Sequence, residues 1–337
     1  LLMTDTDLQQ LDATFDRLRS AVERLFLGHE EVLETALLAL LAGGHVLLEG
    51  APGLGKTTMV RGLSRALDLG FRRIQFTPDL LPPDVLGTRV LEEDEDGKRH
   101  FRMQDGPIFT NILLADEINR ATPRTQAALL EAMQERQVTL FGETRALDDP
   151  FCVVATQNPV EMEGTYPLPE AQLDRFLVKL ELKSPGAEAL ARVLEATTGE
   201  IDAAEELTPQ VTREELTKLR KLVREVPVES ALTLLAARVI CATQPQREDA
   251  PERIARYVRW GASPRGGQAL LLLAKARALV SGRLHVTEDD LRTVAPPALR
   301  HRLILGYEGE ASGIHADELI LEAFDHALAQ GKKGRRR

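Results

Sequence analysis

Residues Gly50–Thr57 read Gly-Ala-Pro-Gly-Leu-Gly-Lys-Thr, and no other stretch restricts the fold of this chain as strongly. The apolar run His45–Leu48 precedes it, and an amphipathic segment to about Leu69 follows it. The spacing fits G-x-x-x-x-G-K-[ST], in which glycines let backbone N–H groups turn inward around a phosphate with no Cβ in the way. The following helix adds its positive N-terminal end, Lys56 reaches the β/γ oxygens, and Thr57 offers a hydroxyl to Mg²⁺. Strand, loop and helix must occur in that order. The expected phosphate cradle comprises Gly50, Ala51, Pro52, Gly53, Leu54, Gly55, Lys56, Thr57 and Thr58.

The first half of the chain continues that alternation. Apolar runs at 71–76, 111–116 and 151–156 read as strands, and Leu129, Leu130 and Met133 mark one face of a helix over 125–135. Polar turns predict two hairpins, one inside a Pro- and Gly-rich insertion at about 78–105 and one at 136–147. Continuous apolar strands between helices imply a parallel sheet covered on both faces. Ahead of it, Leu11, Phe15, Leu18, Val22 and Leu25 keep helical spacing. From 187 onward the texture is helical only, with segments expected at 187–197, 212–223, 230–241, 251–259, 264–280, 287–294 and 315–329. Joints fall at 198–210, 242–250 and Pro296-Pro297. The expected organisation is a helical lead-in (1–30), an α/β nucleotide-binding domain (31–185), a helical domain (186–330) and a basic disordered tail (331–337).

Candidate chemistry clusters at strand ends. The run Ile112-Leu-Leu-Ala ends in Asp116 and Glu117. With the phosphate loop, Asp116 suits Mg²⁺ coordination and Glu117 suits polarising water, which favours hydrolysis over transfer to another hydroxyl. Asn158 ends the next strand, where it either contacts the γ-phosphate and attacking water or simply forms a turn before Pro159. Arg175 either pairs with its neighbour Asp174 on the surface or serves as an arginine finger for another subunit's nucleotide. Arg265 opens the helix begun by Ser263 and Pro264, where it opposes the helix dipole and calls for an anion. The seven histidines are scattered and none is assigned to catalysis.

Composition narrows the partners. The net charge of −10 disfavours a chain whose main surface grips nucleic acid. The two cysteines, Cys152 and Cys241, lie far apart in apolar surroundings, as in a reduced compartment. With no apolar stretch of about 18 residues and a polar, acidic start, a cytoplasmic protein is expected.

Five stretches together resemble the AAA+ ATPases and, more narrowly, the MoxR family. They are GGHVLLEGAPGLGKT (43–57), FTPDLLPPDVLGT (76–88), DGPIFTNILLADEINRATPRTQAALLEAMQERQVTLFGET (105–144), VVATQNPVEMEGTYPLPEAQLDRF (153–176) and GASPRGGQALLLLAKARAL (261–279). The resemblance implies an αβα P-loop domain followed by an all-helical AAA+ lid. It likens Gly50–Thr58 to Walker A, Asp116 and Glu117 to the Walker B acids, Asn158 to sensor 1, Arg175 to the arginine finger and Arg265 to sensor 2. Gly28, in the Leu27-Gly28-His29 segment, is similar to the residues behind the adenine ring; His29 stands where many relatives carry Gln. The hairpins near 84–103 and 136–147 are similar to the helix-2 insert and the pre-sensor-1 hairpin, which face a central pore. The resemblance further implies ATP and Mg²⁺, hexameric rings, chaperone-like remodelling and a partner with a von Willebrand A domain. A DNA-dependent motor, a metal-chelatase motor and a nucleotide-gated binding module are the alternatives.

Overall fold

The structure, a computed structural model, describes residues 14–18, 20–21, 28–94, 97–159, 164–197 and 207–334. Of the sequence expectations, Leu11, Val22, Leu25, Leu27, part of the 198–210 joint and residues 335–337 of the tail lie outside the described residues. Phe15 and Leu18 are buried on a helix, as their spacing predicts.

Five parallel strands form the central sheet: β1 (Val46–Gly50), β2 (Phe71–Gln75), β5 (Ile112–Asp116), β8 (Cys152–Gln157) and β9 (Val178–Leu182), in the order β2-β5-β8-β1-β9. Every residue of β5 is buried. Alternate residues of the central strands enter two cores on opposite faces. Val46, Leu48, Ile112, Leu114 and Val154 lie on one, and Leu47, Leu113, Ala115, Val153 and Ala155 on the other. This two-sided burial explains why the strands read as unbroken apolar runs, with each buried Leu or Ile contributing about 2 kcal/mol. The edge strand β2 differs: Arg72, Arg73 and Gln75 are exposed. Helix α1 (Glu30–Ala42) precedes β1, and α2 (Lys56–Ala66) follows its loop.

Between β2 and β5, α3 (Pro82–Leu86) leads into an antiparallel hairpin of β3 (Gly87–Glu93) and β4 (Arg99–Asp105). Helix α4 (Pro123–Glu135) leads into a second hairpin, β6 (Gln137–Leu140) and β7 (Glu143–Ala146). Two arginines tie the hairpins into one body. Arg89 bonds Glu143 at 3.0 Å and lies over the Phe141 ring, while Arg145 pairs with Asp105 and lies over Phe109. Leu91, Phe101 and Phe141 remain exposed on this body.

After the short α5 (Glu170–Leu173) and β9, helices dominate: α6 (Ala187–Thr197), α7 (Arg213–Glu225), α8 (Ser230–Ala242), α9 (Glu252–Tyr257), α10 (Pro264–Val280), α11 (Glu288–Leu299), α12 (Tyr307–Ala311) and α13 (Ala316–Gly334). The seventeen-residue α10 packs against α1, α7, α8 and α11. Three features differ from the sequence expectations. The predicted helix 251–259 ends at Tyr257, and β10 (Val258–Trp260) pairs antiparallel with β11 (Ile304–Leu305), a partner too distant in sequence for local periodicity to reveal. Helix α11 continues through Pro296 and Pro297, because burial of Val294, Ala295, Ala298 and Leu299 outweighs the lost backbone donors. Helix α13 extends to Gly334, so residues 331–334 of the expected disordered tail are helical; its packed face at Leu319, Ile320, Ala323, Phe324 and Ala327 supports propagation to that end. Among the described residues, no helix is long and apolar enough to cross a membrane.

Candidate nucleotide site

The strand order brings the C-terminal ends of β1, β8 and β5 side by side, and the expected site residues with them. In the loop after β1, Gly53 and Gly55 take φ of 81° and 75°, the left-handed region that glycine enters without strain. A Cβ on Gly50 would stand 2.7 Å from the Leu182 Cβ, whereas one on Gly53 would meet nothing within 4 Å. The cradle is therefore packed behind and open in front. Gly55 precedes α2 with no side-chain cap, which leaves the first N–H groups of an eleven-residue helix for an anion. Lys56 is buried and donates to the Gly50 carbonyl at 2.7 Å. Burial lowers its pKa, while the Asp116 and Glu117 carboxylates oppose that shift.

The acid pair is built by three strands. Asp116 Oδ1 accepts from the Thr156 hydroxyl at 2.6 Å, and Oδ2 accepts from Arg73 Nη2 at 2.6 Å and Nε at 3.1 Å. Glu117 has φ 56°, a strained setting for a side-chain-bearing residue, and its N–H donates to Thr156 Oγ1 at 2.8 Å. Its carboxylate accepts from Gln75 Nε2 at 2.7 Å and from Arg120 Nη1 at 3.1 Å. Arg73, Gln75, Arg120 and Thr156 are thus site residues that sequence reasoning missed. Arg73 and Gln75 left a signal, as alternate polar residues on a strand of an otherwise apolar sheet.

Asn158 is buried just beyond β8, beside that pair in the strand order. Arg175 is half-buried, and its guanidinium has no hydrogen bond or ion pair among the described residues. The surface pair with Asp174, one of the two expected alternatives, does not form, because Asp174 is taken by Arg302 at 2.7 Å. Arg265 lies exposed at the second position of α10, whose N-cap Ser263 accepts from the Arg265 N–H at 3.1 Å. Gly28, with φ 85°, backs onto α6; a Cβ there would stand 2.9 Å from that of Ala189. Beside it opens a cavity of about 840 Å³ lined by His29, Lys183, Pro185, Arg277 and Arg300, among others, but by no residue of the Gly50–Thr58 loop.

The residues fit Mg²⁺. The Thr57 hydroxyl has no partner among the described residues, and the Asp116 carboxylate lies at the end of a neighbouring strand. Both are the hard oxygen donors this ion takes, and Thr156 orients the carboxylate.

Comparison with known proteins agrees with this arrangement. Residues 45–178 match the ATPase family associated with various cellular activities (AAA), and residues 250–323 match the AAA lid domain. A chain from Cytophaga hutchinsonii, provisionally designated an ATPase in its crystal structure, is 38% identical with a TM-score of 0.87, covering 95% of this chain and 96% of that one. Fold and site together define a nucleotide-binding AAA ATPase with a helical lid. The chaperone MoxR1 of Mycobacterium tuberculosis is 40% identical over 307 residues, covering 91% of this chain and 80% of the relative. Protein MoxR of Methylorubrum extorquens is 31% identical over 315 residues, covering 89% of each chain. An uncharacterized Bacillus subtilis protein, YeaC, is 43% identical over 301 residues, covering 89% and 90%. The chain belongs to the MoxR family of AAA+ ATPases.

Proposed function

We propose that the chain hydrolyses ATP in a hexameric ring and uses the cycle to remodel or mature partner protein complexes. The observation that carries this reading is the acid pair held by Thr156 beside the phosphate loop, together with an Arg175 whose side chain lacks a partner among the described residues. The backbone N–H groups of Gly50–Thr58 and the Lys56 ammonium bind the phosphates, and Thr57 and Asp116 would hold Mg²⁺. When bound, that ion neutralises charge on the β- and γ-phosphates. Glu117 takes the proton of the attacking water, and Asn158 helps orient that water or the γ-phosphate. Arg175 projects toward the next subunit's nucleotide, and Arg265 senses the γ-phosphate from a lid spanning about 186–330. Gly28 backs the adenine.

The joined hairpins, with exposed Leu91, Phe101 and Phe141, suit contact with an extended polypeptide in the ring's pore. A von Willebrand A domain protein is the proposed partner, and the cytoplasm the proposed location. The net charge of −10 speaks against nucleic acid as the client. Glu117→Gln should retain ATP binding while hydrolysis falls at least about tenfold. Subunits carrying Arg175→Ala should regain turnover when mixed with Glu117→Gln subunits. Unchanged hydrolysis in the first variant would refute the role of Glu117, and absence of recovery at every mixing ratio would refute a finger acting across subunits.

A further inference from the structure

The residue beside the finger is bound to the lid from two directions. Asp174 Oδ2 accepts from the Ser263 hydroxyl at 3.0 Å, and Oδ1 accepts from Arg302 Nε at 2.7 Å. Ser263 is the N-cap of α10, two residues before Arg265. Arg302 follows α11, and its side chain is only 3% exposed. Its guanidinium also grips the backbone around the finger. Nη2 donates to the carbonyls of Asp174 at 3.0 Å and Phe176 at 2.7 Å, and Nη1 donates to that of Leu177 at 3.2 Å. A further bond to the Ala298 carbonyl anchors the same group in α11. The planar fork of an arginine suits such a joint, since its donors are fixed relative to one another. Arg175 is thus enclosed in sequence by residues clamped to the lid, while its own side chain makes no contact of this kind among the described residues.

We propose that Asp174 is a positioning residue, which with Ser263 and Arg302 carries the lid's position to Arg175 and so sets the finger presented to the neighbouring subunit. The inference rests on the reading of Arg175 as a finger acting across subunits. Arg265 and Ser263 occupy one helix start, so a lid moved through Arg265 by its own nucleotide drags Asp174 with it. The segment 174–177 precedes β9, so the finger shifts relative to the sheet by flexing this short lead-in. The buried Arg302 guanidinium transmits such motion because its donors have no alternative partners in water, whereas the half-buried Asp174 carboxylate is held by that guanidinium and by Ser263.

The test compares steady-state hydrolysis and nucleotide binding in pure and mixed assemblies. Asp174→Ala should lower turnover at least about tenfold with nucleotide affinity within about threefold, and Asp174→Asn, which keeps an oxygen for Arg302, should restore about a third or more of the rate. Mixed with Glu117→Gln subunits, which carry an intact Asp174 and Arg175, the Asp174→Ala subunits should regain turnover. The reference arm mixes Arg175→Ala with Glu117→Gln. Recovery in the reference arm without recovery for Asp174→Ala overturns the positioning role and leaves the finger reading standing. No recovery in either arm overturns both. Should Asp174→Ala fail to fold or assemble, Ser263→Gly removes the lid's hydroxyl while glycine remains an acceptable N-cap. It should lower turnover at least about threefold and recover in the same mixture, and an unchanged rate overturns the proposal.

Discussion

Gln75 and Glu117 are joined at 2.7 Å, amide Nε2 to carboxylate Oε2, and the orientation of that amide is set by Arg73. Arg73 Nη2 donates to Gln75 Oε1 at 2.9 Å and to Asp116 Oδ2 at 2.6 Å, so one chain of bonds links both acids through the edge strand. The Glu117 carboxylate is thus held by both Gln75 and Arg120. Gln75→Ala removes one of the two restraints. Basal hydrolysis should rise about threefold, the worth of part of one hydrogen bond, in a phosphate-release assay. An equal or lower rate would show that the amide supports the active arrangement instead.

Thr156 supplies a single hydroxyl to both acids. Thr156→Val keeps the shape but leaves the Asp116 carboxylate and the Glu117 N–H each short of a partner. Stability should fall by about 2 kcal/mol in denaturant titration, and turnover by at least about tenfold. Nucleotide binding should change far less, because the Gly50–Thr58 cradle is untouched.

His45 predicts a pH dependence. It is buried at the start of β1, accepts from the Val153 N–H at Nδ1 at 3.0 Å, and therefore presents Nε2–H to the Met133 carbonyl at 3.2 Å. Burial, reinforced by Arg136, pushes its pKa down from 6.5 to about 4. A depressed histidine stabilises the fold fully above the unfolded value and loses that contribution as pH falls toward the folded one. The loss is about 3 kcal/mol in all, about 2 of it by pH 5. Urea unfolding between pH 8 and 5 should show it, with a shallower pH slope for His45→Gln.

Asp290 predicts where the lid is vulnerable. Its side chain is fully buried at the N-terminus of α11, where it accepts from Arg283, Arg277 and the Thr287 N–H and hydroxyl. Burial alone would raise its pKa, but these donors, Arg283 foremost, hold it at about 2. Asp290→Ala leaves two arginines without their shared partner and removes half of a capping box, so stability should drop by about 3 kcal/mol in thermal or denaturant unfolding. In the wild type this contribution disappears only as pH falls from 3.8 toward 2, below the window in which His45 acts.

The phosphate loop, the buried strands and the two acids were legible because each rests on local chemistry. Glycines at 53 and 55 permit a backbone that other residues resist, and an unbroken apolar run such as Ile112–Ala115 has no stable place except between two covered faces. The helices α6, α8 and α10 followed from periodicity for the same reason. The partners of the acids were not legible. Gln75 lies opposite Asp116 in the ladder of β2 with β5, and Thr156 reaches across from β8, relations created by strand order and register. The neighbours of Arg175 gave an equally open choice. Asp174 and Arg175 are adjacent in the chain, yet Asp174 bonds Arg302, 128 positions away. Sequence by itself thus determined which residues are the candidates to meet a nucleotide. Only the docking of the lid against the end of β9's lead-in decided that Asp174 is engaged and Arg175 left without a partner among the described residues, because burial makes Arg302 require a counter-charge more than the half-buried Arg175 does.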